Sequence, residues 1–496
     1  MTPGRERELK LSAPPSLRLP DLDGIVDGIA AVSREPVSML ATYFDTDDLR
    51  LIRAGVTLRH RTGEGWTVKL PADSGGGFIV RSELTFPGEL RRPVTAAFDL
   101  VRAYARSAPL APQARLRTVR RVVELRDGEG VLAAEVCDDE VSVLDGRRVA
   151  GRFRELEVEL RESESKDLAR RVAEALQAAG AGPVEQTPKL VRALGGRAEE
   201  PADIVVADEH DDTAGALVKQ ALAASVLRLV EHDPVVRLDA DTEGVHQMRV
   251  ATRRMRSDLR TFAPFVDADW SADLRAELGW LAGLLGHVRD ADVLLARLRR
   301  RVATLPEASV ASAGAVLSAL EQERALALAE LLDALRGERY VQLLERLVLA
   351  VREPPLTAAA DGTAKDVLPD AARERWRRLA RAAKALGRNP SARDLHAVRI
   401  RTKRCRYAVE AIEPVLGKRG ASFARELAKL QDRLGELNDA AVAEGWLREW
   451  ASTRRGGGVF AAGELAGLEL ADAETARRRW RKAWKSASGT VPAALR

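Results

Sequence analysis

The sequence predicts a multidomain α+β chain, with about eight short antiparallel strands in a barrel or sandwich, followed by an all-α region of two tandem helical-bundle repeats. Three observations predict it. Residues 1–195 are mostly short alternating or β-branched runs punctuated by turn signals. From about residue 214, Ala, Leu, Arg and Glu dominate, with apolar residues at i, i+3, i+4 and i+7. Within that second half, a His/Arg-rich segment at His246 recurs at His396, 150 positions later.

The strands are expected at Glu6–Leu11, Val56–Arg61, Trp66–Leu70, Phe78–Phe86, Arg117–Leu125, Val131–Val143 and Phe153–Leu160. Arg126-Asp127-Gly128 and Leu144-Asp145-Gly146 fit hairpin loops. Helical stretches interrupt the strands near 95–107 and 165–179. About eight strands at this spacing suggest a barrel or sandwich. Residues 196–213 carry Gly, Pro and many acids and read as a linker. The expected organisation is therefore a first domain at 1–197, a linker at 198–213, and a helical domain at 214–490. Its two repeats fall at about 214–350 and 364–490, split by the loop 354–363.

Bulk properties exclude several classes. The 496 residues carry 79 Lys and Arg against 74 Asp and Glu, a net +5. Apolar residues at 46% and charged residues at 31% exclude a disordered or membrane-embedded chain. No run of 18 apolar residues predicts a spanning helix, and the first residues lack the apolar core of a signal peptide. Cys137 and Cys405 are too few for a disulfide framework or a cysteine zinc site, which fits the cytosol. Aromatics at 4% disfavour a base-stacking platform for nucleic acid.

In the strand region, one face of nearly every strand is charged with both signs. Glu6, Glu8 and Lys10 alternate on one face, as do Arg59 and Arg61, Arg81 and Glu83, and Glu155, Glu157 and Glu159. Lys69 sits in a further strand, and Glu135 shares a face with Asp139. The opposite faces carry Leu58, Val68, Leu84, Val136, Leu156 and Val158. A single Glu-x-Glu-x-Lys is common by chance; six charged strands in one domain are far more specific. A sheet closed with its charges inside forms a hydrophilic tunnel. Arg and Lys would hold phosphate oxygens there, and carboxylates a hard divalent cation. With no Walker A motif, P-loop chemistry is excluded.

Over about 1–195 the chain resembles the CYTH family, the triphosphate tunnel metalloenzymes, whose Glu-x-Glu-x-Lys signature stands unaltered at Glu6, Glu8 and Lys10. The resemblance implies Glu6, Glu8, Lys10, Arg59, Arg61 and Lys69 as catalytic positions. It implies Arg81, Glu83, Lys189 and an arginine of the sixth strand as substrate contacts. For that arginine the sequence offers Arg117, Arg120 and Arg121; strand parity puts Arg120 opposite the other two. Motif alignment favours Arg120, with Arg117 second. Glu6, Glu8, Glu135, Asp139, Glu155, Glu157 and Glu159 are the implied ligands of Mg²⁺ or Mn²⁺. One ion would bridge triphosphate oxygens and a second could activate water, while the basic residues neutralise the transferring group.

In the helical half, His246, Arg249, Arg253, Arg256 and Arg260 fall within an arc of roughly 80° on a helix. Met248, Met255, Leu259 and Phe262 cluster opposite and supply the core face. The second copy places His396, Arg399, Lys403 and Arg406 in the stripe, with Val398, Cys405, Val409 and Ile412 behind it. Solvated helices usually alternate charge signs, whereas these stripes carry one sign, so an acidic partner is expected. Asp290, Asp292, Asp432 and Asp439 are candidate internal partners. Residues 214–485 resemble the CHAD family, which is associated with inorganic polyphosphate. The resemblance implies polyphosphate contacts at His246, Arg249, Arg253, Arg254, Arg256, His396, Arg399, Lys403, Arg404 and Arg406.

The functional expectation is a metal-dependent triphosphatase acting on inorganic or organic triphosphate, with a polyphosphate-binding helical domain, in the cytoplasm and at its polyphosphate granules. The alternatives are a non-catalytic polyphosphate sensor and, disfavoured by the low aromatic content, a nucleic-acid binder. No membrane partner is expected.

Overall fold

Strand pairing closes the N-terminal half into a ring. The computed structural model describes residues 4–71, 79–92, 94–161, 166–205, 211–387 and 390–496; the side chains of 4–6, 79–80 and 166 lie outside that description. The strands are β1 (Gly4–Ser12), β2 (Ala30–Ser33), β3 (Val37–Asp45), β4 (Thr57–Arg61), β5 (Gly65–Pro71), β6 (Ile79–Phe86), β7 (Ala111–Arg126), β8 (Leu132–Asp145), β9 (Arg148–Leu160) and β10 (Val184–Glu185). Antiparallel pairing runs β1-β6-β5-β4-β3-β7-β8-β9, and β9 returns to β1. Eight strands thus form the closed ring that the sequence predicts, and β2 and β10 add at its margins.

Side chains alternate in and out along each strand. Outward Leu9, Leu11, Val136, Leu156 and Val158 bury against α3 (Lys166–Ala178) through Leu168, Val172 and Leu176. Outward Leu58, Trp66, Val68 and Leu84 are buried on the other side, where Trp66 meets Phe98 of α2 (Thr95–Ala105) edge-on. The short α1 (Arg50–Arg53) follows β3, and Asp45 accepts from the backbone N–H groups of Thr46, Leu51 and Ile52 to fix that corner. On the inner face, Ala41, Tyr43, Leu116 and Val141 form an apolar layer covered by Leu190 of α4 (Lys189–Leu194) and by Ala198.

The expected strands are all present. β3 is the addition that matters. Its run VSMLATYFD has the length and apolarity of either a strand or a helix piece, so periodicity alone does not separate them.

The C-terminal half is helical: α5 (Ala214–Leu238), α6 (Glu243–Thr261), α7 (Ala268–Val302), α8 (Glu307–Arg336), α9 (Glu338–Arg352), α10 (Ala364–Val367), α11 (Pro369–Lys384), α12 (Ala392–Ala411), α13 (Glu413–Ser452) and α14 (Gly457–Gly489). Side-chain caps start several of them: Thr213 for α5, Asp267 for α7, and a reciprocal Ser391–Asp394 box for α12. Gly417, at φ +58°, breaks α13 into two segments. The repeats interlock. Leu294, Leu298 and Val302 of α7 pack with Val316 and Leu320 of α8, and with Leu447 and Trp450 of α13 and Leu465 of α14. The predicted core faces hold, since Met248, Met255, Leu259, Phe262, Val398, Cys405, Val409 and Ile412 are all buried.

The chain divides into two compact units between Asp203 and Ile204. Residues just past 197 remain on the barrel: Glu200 pairs with Arg53, and Asp203 with Arg106. Of the expected linker, 206–210 lie outside the described residues. A fragment ending at Asp203 is therefore expected to fold alone, and one ending at Arg197 to melt lower because Arg53 and Arg106 lose those carboxylates. Circular dichroism melts of the two fragments check this; equal melting temperatures would count against it.

Candidate functional site

Register brings the charged inner faces together. Glu8 lies opposite Glu159, and Lys10 opposite Glu157. On β8, Asp139 lies opposite Glu155 of β9 and opposite Arg120 of β7. The result is a buried charged cluster, with Glu8, Asp139, Glu155 and Glu157 each at most 3% exposed. Lys10 Nζ lies 2.6 Å from Glu157 and 3.4 Å from Glu8. Arg120 grips Asp139 through two bonds of 2.8 Å and reaches Glu157 at 2.6 Å. Lys189, at the start of α4, points its ammonium at Asp139, Glu155 (3.1 Å) and Glu157 (3.0 Å).

Burial by itself would lower the Lys10 ammonium, but Glu157, Glu8 and Glu155 outweigh it and raise its pKa. Burial would raise Glu157, yet Lys10, Lys189 and Arg120 hold it well below the usual carboxylate range. Glu155 stays raised, because burial there exceeds the pull of Lys189 and Lys10.

Along the ring, Lys69 pairs with Glu83 at 2.8 Å, and Arg59 reaches the same carboxylate at 3.5 Å. Arg81 shares the inward face of β6 with Glu83, and Arg61 shares that of β4 with Arg59 but turns to Glu64 in the hairpin. Tyr43 is the residue sequence reasoning missed. It lies opposite Arg59 on β3 and is buried. Burial would raise its phenol, but Arg59, Lys189 and Lys69 together lower it, Arg59 by a hydrogen bond as well. The signal was parity: Met39, Ala41 and Tyr43 alternate inward once β3 is recognised as a strand.

One expected position is corrected. Arg117 is exposed on the outer face, because it stands three positions, an odd step, from inward-facing Arg120. Glu135 shares the inner face, directly opposite Glu159 of the first candidate metal triad, and its carboxylate pairs with Arg161 at 2.6 Å. The side chain of Glu6 lies outside the described residues.

The remaining carboxylates fit a metal. Glu8, Glu157 and Glu159 form one triad with ligand oxygens within 4.8 Å of one another, and Asp139, Glu155 and Glu157 form another. Glu8 Oε1 and both oxygens of Glu155 are buried and accept no hydrogen bond. Oxygen donors left short of partners suit a hard divalent cation.

In the helical unit, α6 and α12 pack together with their basic stripes converging. Arg253 lies over the Tyr407 ring at 5.3 Å, and Arg406 over it at 4.8 Å. Burial, with Arg399, Arg253 and Arg249 nearby, pushes Lys403 down to about 7, while Asp439 opposes the shift. The Nε groups of Arg253, Arg256, Arg399 and Arg406 are buried without hydrogen-bond partners. Burial and Arg289 lower His246, whereas His396 Nδ1 sits 2.7 Å from Asn438 Oδ1. Of the proposed acidic partners, Asp290 pairs with Arg249 at 3.0 Å and Asp439 approaches Arg399 at 3.9 Å, but Asp292 turns to Arg324. Arg254 is held by Glu410 and Asp258 and lies 6.0 Å over the same Tyr407 ring. Arg404 is exposed, in a second group with Arg260 and Arg375.

Comparison with known proteins follows this division. The CYTH domain family matches residues 4–190, and the CHAD domain family matches 220–448. An uncharacterized Mycobacterium tuberculosis protein, found in strains H37Rv and CDC 1551, is 32% identical over 501 residues, covering 96% of this chain and 94% of the relative. Among solved structures, PptA from Streptomyces chartreusis is 26% identical, with a TM-score of 0.47, over 55% of this chain and all of that one. The CHAD domain from the plant Ricinus communis is 25% identical, with a TM-score of 0.47, over 57% and 94%. An adenylyl cyclase candidate from Hippeastrum with a dominant triphosphatase activity is 17% identical, with a TM-score of 0.25, over 38% and 94%. CYTH domains are metal-dependent, bind triphosphate substrates and work as triphosphatase- or cyclase-like enzymes. No described helix is long and apolar enough to cross a membrane. With a full-length relative at this identity and both domain matches in series, the chain belongs to the CYTH–CHAD family.

Proposed function

We propose that the chain is a metal-dependent triphosphatase that hydrolyses inorganic triphosphate or a related organic triphosphate, and that its helical unit binds inorganic polyphosphate in the cytoplasm. The observation that carries this reading is the tunnel lining: a buried carboxylate cluster adjoining Arg59, Lys69, Arg120 and Lys189. Such a lining suits a linear polyanion held by cations while a metal sits among carboxylates. Glu8, Glu157 and Glu159 would hold Mg²⁺ or Mn²⁺, which when bound polarises phosphoryl oxygens. Arg59, Lys69 and Arg120 bind and orient the phosphates and take up the charge that spreads over the transferring group. Tyr43, held by Arg59, positions that guanidinium and excludes bulk water from its side of the tunnel. Arg81, by its place on β6, belongs to the same lining, and Glu6 stands opposite it in register on β1.

A phosphate-release panel of inorganic triphosphate, thiamine triphosphate and ATP with Mg²⁺ or Mn²⁺ tests this. Release from at least inorganic triphosphate, lost in excess chelator, is expected. Tyr43→Phe should lower it about tenfold or more, the worth of one hydrogen bond to a charged group. Binding without release would leave the tunnel a sensor.

A further inference from the structure

Lys189 stands where a second cation would stand. Its ammonium is 3.1 Å from Glu155, 3.0 Å from Glu157 and in contact with Asp139. Those are the same three carboxylates that form the second triad. Arg120 adds a second positive group there, bonded to both oxygens of Asp139. In the first triad Lys10 lies 2.6 Å from Glu157, and Arg120 reaches Glu159 only at 3.4 Å. Glu8 Oε1 of that triad accepts no hydrogen bond, although Lys10 lies 3.4 Å away. Glu155 shows that the Lys189 ammonium is an imperfect occupant: its side chain is 1% exposed, the ammonium reaches only Oε1, at 3.1 Å, and Oε2 has Arg192 Nε no closer than 3.8 Å.

Resting on the metal-dependent reading above, we propose that Lys189 is an internal cation that blocks the second metal site until triphosphate draws it away. The resting tunnel then takes one divalent ion, at Glu8, Glu157 and Glu159. Two features make the exchange feasible. Lys189 is the first residue of a six-residue helix anchored by buried Leu190, so its long side chain can swing while the helix stays seated. A triphosphate also offers Lys189 and Arg120 oxygens to replace those of Asp139, Glu155 and Glu157, which frees these carboxylates for a metal. Substrate and second ion would therefore enter together. A resting site free of the second ion avoids stranding Glu155 and Asp139 in the dry interior, because the ammonium partly compensates them.

Counting Mn²⁺ by electron paramagnetic resonance on the full chain tests the proposal without measuring turnover. Glu157 belongs to both triads, so two ions would share it as a bridge and give an exchange-coupled signal, distinct from a single ion or surface binding. The resting protein should bind one tight, uncoupled Mn²⁺. Adding imidotriphosphate, the analogue with P–NH–P bridges, should raise the count to two with coupling. Lys189→Met should reach two coupled ions with no analogue. Two coupled ions in the resting protein, or a count that stays at one in both other samples, would overturn the role of Lys189 while leaving metal dependence intact. No tight Mn²⁺ in any sample would instead sink the metal-dependent reading and this proposal with it. Should Lys189→Met fail to fold, the analogue experiment on the unmodified chain decides alone.

Discussion

Glu157→Gln is expected to reduce triphosphate hydrolysis on the order of 10³-fold, the cost of losing a central preorganised charged group. No other carboxylate of the tunnel does so much. It belongs to both candidate metal triads, and it faces Lys10, Lys189 and Arg120 at 2.6–3.0 Å. The amide keeps the shape and loses the charge, so the metal loses a ligand and three cations lose their shared partner. The fold should survive, because Glu8, Asp139 and Glu155 still neutralise much of the cluster. The acid side of stability should change too. A carboxylate held below its ordinary 4.5 stabilises the folded state above that pH and loses the effect as pH falls through its folded value. The variant should therefore show a flatter melting temperature between about pH 5 and pH 3. Phosphate release against enzyme concentration, with melts across that range, measures both. Undiminished turnover would remove Glu157 from the proposed mechanism.

Charge reversal in the helical unit should have an equally large effect on a different ligand. Arg253→Glu with Lys403→Glu is expected to weaken binding of long-chain polyphosphate at least 10²-fold in about 0.1 M salt. Both side chains lie where the stripes of α6 and α12 converge, beside Arg249, Arg399 and Arg406. Unlike a merely structural pair, these positions are strained by repulsion, so the variant should melt no lower than the parent. Binding by the parent should fall steeply with salt, as released counterions demand, and the variant's slope should be shallower. Duplex DNA of equal charge should bind the parent more weakly than polyphosphate.

Protonation adds a sign to this. Lys403, at about 7, is only partly charged at neutral pH. A bound polyanion favours the charged form, so binding takes up protons and tightens as pH falls from 8 to 6. Arg249, Arg253, Arg399 and Asp439 face this ammonium, and His246, also lowered, acts in the same direction. Lys403→Arg should flatten the profile. Without ligand the sign reverses: the unfolded chain holds that proton up to its ordinary 10.5, so stability rises with pH between about 7 and 10.5.

The sequence by itself determined which faces are charged. Period-two alternation of Glu6, Glu8 and Lys10, and of Glu155, Glu157 and Glu159, marks one side of a strand whatever that strand packs against. The helical stripes and their buried counterfaces follow in the same way from a 3.6-residue period. Tertiary structure decided what those faces meet. Ring closure between β1 and β9 turned the charged faces inward, set Lys10 against Glu157, and made the Arg120 side of β7 the inner one. Arg117 dropped out at this step by parity, while register set Glu135 opposite Glu159. Tyr43 came in because β3, ambiguous along the chain, fills the ring between β4 and β7. Lys189 is the sharpest case. Fifty positions from Asp139 in sequence, it reaches that carboxylate because α4 folds onto the apolar layer of the inner face through Leu190. Local periodicity reports the direction of a side chain; only long-range packing reports the charge at its end.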